Sequence, residues 1–188
     1  GAGPAGLMTA LVAARRGHRV VLFDRTRDLG GQLNLARLVP GKEEFNGLVA
    51  WFGAAVAAEN IELRLGRATD VADLQGFDEV VVATGVSPRD PQIPGQERAL
   101  SYIEVLRGAP VGPRVAVIGA GGIGFDVAEF LVAGGESATL DPDLWRREWG
   151  VTPPWLARGG LAEPQPEPPA RQVWLLQRKP EKPGRKLG

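Results

Sequence analysis

Two six-residue stretches carry the chemistry of this sequence: Gly1-Ala2-Gly3-Pro4-Ala5-Gly6 and Gly119-Ala120-Gly121-Gly122-Ile123-Gly124. Both follow the pattern GxGxxG. In that pattern the first glycine permits a tight turn and the second lets backbone approach a pyrophosphate. The third lets the following helix pack closely on its strand. The anion then sits at the helix N-terminus, facing free N–H groups and the positive end of the helix dipole. The chemistry expected at each stretch is dinucleotide binding, with Gly1, Gly3 and Gly6 at the first site and Gly119, Gly121 and Gly124 at the second.

The elements needed to position these turns follow in order. A helix is expected from Leu7 to Arg16, stopped by Gly17, and a buried strand over Arg19–Phe23 ending at Asp24. Phe45, Leu48, Val49, Phe52 and Val56 fall at helical spacing. Ile61–Leu65 alternates as a half-buried strand does, and Glu79–Ala83 reads as a fully apolar strand before Thr84-Gly85. After a proline-punctuated link the design repeats. The strand Arg114–Ile118 feeds the second glycine turn, a helix runs from Phe125 to about Val132, and a strand covers Gln172–Leu176. Strand, glycine turn, helix and strand used twice predict an α/β fold of two Rossmann-like units on parallel sheets. Residues 1–95 form the expected FAD-binding domain and 96–188 the expected NADPH-binding domain. Residues 136–170 interrupt the second with six prolines beyond Pro142 and three of the five tryptophans, as a satellite core or a docking surface.

The two strand ends differ in charge. Asp24 lies eighteen positions past Gly6, where a carboxylate accepts hydrogen bonds from ribose hydroxyls. The second unit instead ends its strand in Gln177-Arg178-Lys179. A carboxylate would repel a 2′-phosphate, whereas Arg178 and Lys179 would pair with one, so the second site is expected to take NADPH rather than NADH. On its own this basic stretch, with six Lys or Arg from Arg171 onward against the single acid Glu181, would read as a solvated tail. Unlike nucleotide sites in one chain point to a flavoprotein reductase with FAD first and NADPH second.

Composition narrows the alternatives. Twenty-two basic and 22 acidic residues among 188 leave no global field for nucleic acid or a membrane surface. No apolar run approaches the roughly 20 residues that span a bilayer, and no leader pattern stands at the start, so a cytoplasmic location is expected. No cysteine is present, which removes thiolate metal sites, iron–sulfur ligation and a redox dithiol from this stretch, and no metal site is expected in it. The only histidine, His18, has no nucleophile near it in sequence and reads as structural. No catalytic residue is assigned.

GAGPAG, FDRTRDLGGQLNLARLVPGKEEF, FDEVVVATGVSPR, VAVIGAGGIGFDVAEFL and ARQVWLLQRK together resemble the bacterial NADPH-dependent 2,4-dienoyl-CoA reductases, along essentially the whole chain. The Glu148-Trp149-Gly150 and GIGFD stretches are more specific than the glycines. The wider group is similar to trimethylamine dehydrogenase-like and old-yellow-enzyme-like flavoproteins. The resemblance implies an electron relay: hydride from NADPH to FAD, single electrons through an iron–sulfur cluster, and reduction of an enoyl-CoA type substrate, a dienoyl thioester, at FMN in a barrel domain of the same parent chain. It implies FAD contacts at Ala5, Asp24, Gln32 of the Gly30-Gly31-Gln32 turn, Lys42, and the backbone near Thr69. It also gives Ala83-Thr84-Gly85 the role of the turn that leads from flavin domain to nicotinamide domain. Against that family the fold is expected to be incomplete at both ends, lacking the barrel, the strand before Gly1 and the segment that returns to complete the flavin domain. Two other readings stand: an electron-transfer reductase subunit of the glutamate synthase small-chain type, and a catalytically inert nucleotide-binding remnant.

Overall fold

A computed structural model describes residues 1–184 and divides into two compact units, residues 1–37 with 44–96, and residues 38–43 with 97 onward.

The first unit begins with helix α1 (Pro4–Arg15), whose first residue is a proline already set at a helical φ. Its end is a Schellman motif. Gly17, at φ 90°, donates to the Ala14 carbonyl at 2.9 Å, and the N–H of His18 donates to Ala13 at 3.1 Å. His18 therefore serves the helix stop through its backbone. Strand β1 (Val21–Asp24), the short helix α2 (Leu33–Ala36), helix α3 (Phe45–Ala58) and strand β2 (Glu62–Leu65) follow. β1 and β2 are parallel, with Val21 opposite Glu62 and Asp24 opposite Leu65. Leu7 and Leu11 of α1, four residues apart on one helix face, meet Phe52 and Val56 of α3 together with Leu22 and Ile61 in the core. Each such side chain contributes about 1.5–3 kcal/mol by leaving water.

The expected strand over Glu79–Ala83 does not form among the described residues. Val80, Val81 and Val82 are 48%, 65% and 79% exposed. Their β-branched run suits a sheet, but a strand exists only where a neighbour completes the ladder, and the first sheet consists of β1 and β2.

In the second unit helix α4 (Tyr102–Leu106) starts with a capping box: the Glu104 N–H donates to Ser101 Oγ, and the Ser101 N–H donates to the Glu104 carboxylate at 2.7 Å. Strand β3 (Arg114–Ile118) pairs in parallel with strand β4 (Gln172–Leu176) across all five residues. Val115, Val117 and Val173 face Val127 and Leu131 of helix α5 (Gly122–Val132). Within the insert, helix α6 (Pro142–Trp149) is capped by the Asp141 carboxylate and stopped by Gly150 at φ 64°. Trp145 and Trp149 stack with centroids 6.3 Å apart, yet Trp149 is 66% and Trp155 82% exposed, so the insert's tryptophans do not build a satellite core.

Candidate functional site

The first glycine turn is held by contacts that exclude any side chain. A Cβ on Gly6 would overlap the carbonyl oxygen of Gly1, and one on Gly1 would overlap the carbonyl oxygen of Ala83. Gly3 is the N-cap of α1 and no side chain caps the helix. The first intrahelical donor is Leu7, to Gly3 at 2.9 Å. The N–H groups of Ala5 and Gly6 lie ahead of it in the first turn, in the position that binds a phosphate.

Asp24 is fastened to this turn. Its Oδ2 accepts the Ala2 N–H at 2.6 Å, and its Oδ1 accepts both the N–H and the hydroxyl of Thr26 at 2.7 Å. Partial burial opposes ionisation, but the hydrogen bonds from Ala2 and Thr26 hold the carboxyl below the usual range. The carboxylate so placed is charged at neutral pH, with acceptor capacity left for a ribose hydroxyl. Sequence reasoning did not single out Thr26. The spacing Asp-x-Thr, in which an acid accepts from a backbone two residues on, was the available signal.

Gly30-Gly31-Gln32 closes the same site. Gly30 donates to the Ala2 carbonyl at 2.8 Å. Gly31, at φ 53°, lies so near Gly3 that a Cβ there would sit 2.8 Å from the Gly3 Cα. Gln32 Nε2 donates to the Val86 carbonyl at 3.1 Å, drawing in the stretch that carries Thr84 and Gly85. A Cβ on Gly1 would sit 3.2 Å from the Cα of Thr84. The contacts thus tie the glycine turn at the start of α1 to one carboxylate, Asp24, to Gly31 and to Thr84. These are the features a dinucleotide pyrophosphate and ribose require. Thr69 is exposed in the loop after β2.

The second turn repeats the first. A Cβ on Gly124 would overlap the Gly119 carbonyl, as Gly6 does at Gly1. Gly119, at φ 120°, needs its glycine. Gly121 caps α5 with no side-chain partner. Gly119 also donates to the Leu176 carbonyl at 2.8 Å, so the end of β4 lies against the turn. Arg178 and Lys179 follow two and three residues later, both exposed.

The segment of Lys42 belongs to the second unit, where Nζ pairs with Asp126 of α5 at 2.7 Å. Beside it, Glu43 accepts the Thr139 hydroxyl at 2.7 Å. Burial of Glu43 opposes its ionisation, but hydrogen bonds led by those of Ser137 and Thr139 keep its carboxyl below the ordinary range. Asp126 and Thr139 were not singled out from sequence, because no local pattern relates residues so far apart.

The profile of the pyridine nucleotide-disulphide oxidoreductases matches residues 1–143, which takes in both glycine turns. The chain belongs to that family. Its members bind FAD and NAD(P), and its fold is the Rossmann-like fold of flavoprotein oxidoreductases. The chain is 34% identical over 149 residues to an NADH oxidase of Thermoanaerobacter brockii, covering 74% of this chain and 23% of that protein. It is 34% identical over 143 residues to a cinnamate reductase of Clostridium sporogenes, covering 74% and 22%. A solved structure of 2-naphthoyl-CoA reductase in complex with 2-naphthoyl-CoA superposes with a TM-score of 0.65 at 28% identity, over 69% of this chain and 20% of that one. The chain therefore spans under a quarter of the length of these relatives. Although the family name refers to disulphides, no cysteine occurs in these 188 residues. Among the described residues no helix is long and apolar enough to cross a membrane.

Proposed function

We propose that the chain is the FAD- and NADPH-binding portion of a larger flavoprotein that reduces 2,4-dienoyl-CoA thioesters in unsaturated fatty acid β-oxidation. The observation that carries the reading is the contrast between the two sites. The first turn is bonded to a carboxylate, Asp24, suited to ribose hydroxyls. The second leans on a strand that runs into Arg178 and Lys179, suited to a 2′-phosphate. Bound FAD supplies the acceptor for a hydride from a nicotinamide.

This chain's own residues bind and orient. The N–H groups at the start of α1 would hold the flavin pyrophosphate and Asp24 its ribose, while Gln32 holds the Thr84–Val86 stretch through the Val86 carbonyl. Gly119, Gly121 and Gly124 perform the first of these tasks for NADPH. Reduction of the thioester belongs to the remainder of the parent chain, a barrel with FMN and an iron–sulfur cluster. Relatives named as reductases of cinnamate and bilirubin, and the structural neighbour complexed with a CoA thioester, support reduction of a conjugated C=C bond. The test is anaerobic assay of the full-length protein with NADPH and a 2,4-dienoyl-CoA. Thioester-dependent NADPH consumption with loss of the diene absorbance is expected; consumption that ignores the thioester contradicts the proposal.

A further inference from the structure

The two oxygens of Asp24 are held by different segments. Oδ2 takes the Ala2 N–H of the glycine turn, and Oδ1 takes the N–H and hydroxyl of Thr26. A ribose has two exits for the rest of a dinucleotide, the 5′-phosphate and the base on C1′. With the pyrophosphate at the turn, on the Oδ2 side, the base leaves on the side of Thr26. That side is built. The Thr26 carbonyl accepts the Gly66 N–H at 2.9 Å, joining the loop after β1 to the loop after β2. Gly66, at φ 83°, is crossed by the side chain of Arg27: a Cβ there would sit 3.1 Å from Arg27 Cγ and 3.5 Å from its Nε. The stem of Arg27 therefore lies along the Gly66 backbone, and its planar end begins over the same loop, which runs on to Thr69.

Arg27 is also uncommitted. The arginines of the neighbouring β2 segment each have an acid: Arg64 pairs with Glu62 at 2.7 Å, and Arg67 pairs with Asp73. Among the described residues Arg27 has neither an ion-pair nor a hydrogen-bond partner, and it is exposed. A guanidinium steadied by its stem, with its plane unclaimed, is a stacking surface for an aromatic base. We infer that Arg27 is the stacking platform for the adenine of the dinucleotide at the first site, and that Gly66 lacks a side chain so that the arginine can lie there. The inference rests on the FAD reading of that site. Asp24 and the glycine turn recognise only ribose and pyrophosphate, which many nucleotides share; Arg27 adds the contact to the base. A lysine does not replace it, because an ammonium has no plane to stack.

The test titrates the full-length protein, stripped of flavin, with FAD and follows the flavin fluorescence. Arg27→Ala should weaken FAD binding by on the order of tenfold. Arg27→Lys, which keeps the charge and loses the plane, should weaken it to a similar degree. ADP as a competitor of FAD should lose affinity by the same factor in both variants, whereas inorganic pyrophosphate, which has no base, should compete as it does in the wild type. Unchanged FAD binding in Arg27→Ala overturns the inference. Wild-type affinity in Arg27→Lys assigns the side chain to a phosphate and overturns it as well. Gly6→Ala separates this failure from that of the FAD reading. If Gly6→Ala leaves FAD binding intact, the first turn does not seat FAD and both fall. If it weakens FAD binding while Arg27→Ala does not, the stacking assignment alone falls.

Discussion

The backbone N–H of Ala2 donates to Oδ2 of Asp24 at 2.6 Å, joining the first glycine turn to the end of β1. The residue that would read a ribose and the turn that would cradle its pyrophosphate are thus one hydrogen-bonded piece. Asp24→Ala leaves the N–H of a fully buried Ala2 without its partner. The expected loss is about 1–3 kcal/mol, read as a lower denaturation midpoint at neutral pH.

The same carboxylate sets a pH dependence. Its folded-state pKa is depressed, so its contribution is complete above the ordinary value of about 3.9 and is lost as pH falls through the folded value. The wild-type chain should lose stability in acid more steeply than Asp24→Ala, and the two should converge. Paired urea melts from pH 7 down to about pH 2 check this.

The two glycine turns should be separable by mutation. Gly6→Ala drives a methyl into the Gly1 carbonyl, and Gly124→Ala does the same at Gly119. In the full-length protein, Gly6→Ala should lower flavin content, read from the visible spectrum after purification. Gly124→Ala should keep the flavin and weaken NADPH binding, read by titration.

The capping box of α4 offers a stability test away from either turn. Ser101→Ala removes the acceptor for the Glu104 N–H and should cost about 1 kcal/mol in a thermal or denaturant melt. Hydrogen bonds from the Ser101 N–H and hydroxyl hold the Glu104 carboxyl below its ordinary range, so the benefit it adds fades as pH falls through that lowered value.

The pair Lys42–Asp126, 2.7 Å apart and about one-third exposed on both sides, should contribute modestly. A double-mutant cycle with Lys42→Ala and Asp126→Ala is expected to return a coupling of at most about 1 kcal/mol, falling with added salt.

Local signals carried most of the regular structure. Helical spacing at Phe52 and Val56, alternation at Ile61–Leu65 and the C-terminal glycine at Gly17 each map onto the observed elements, because each is decided by neighbours in sequence. β4 was legible to the residue at Gln172–Leu176. Glu79–Ala83 was not, since an apolar run reports what a strand would bury and not whether a partner stands beside it. At the site, the glycines and Asp24 were legible because the turn fixes their spacing. The attachments of Gln32 to Val86 and of Lys42 to Asp126 were not, since they join residues 54 and 84 positions apart.

We propose that the chain seats FAD at Gly1–Gly6 and NADPH at Gly119–Gly124, with Arg178 and Lys179 selecting the phosphorylated nicotinamide. Anaerobic mixing of the flavin-loaded full-length protein with NADPH or NADH, following loss of the flavin's visible absorbance, tests it most directly. NADPH should bleach the flavin faster than NADH, and Arg178→Ala with Lys179→Ala should abolish the difference while leaving flavin content intact. Equal rates with the two nicotinamides in the wild-type protein, or a preference that survives the double substitution, would contradict the account.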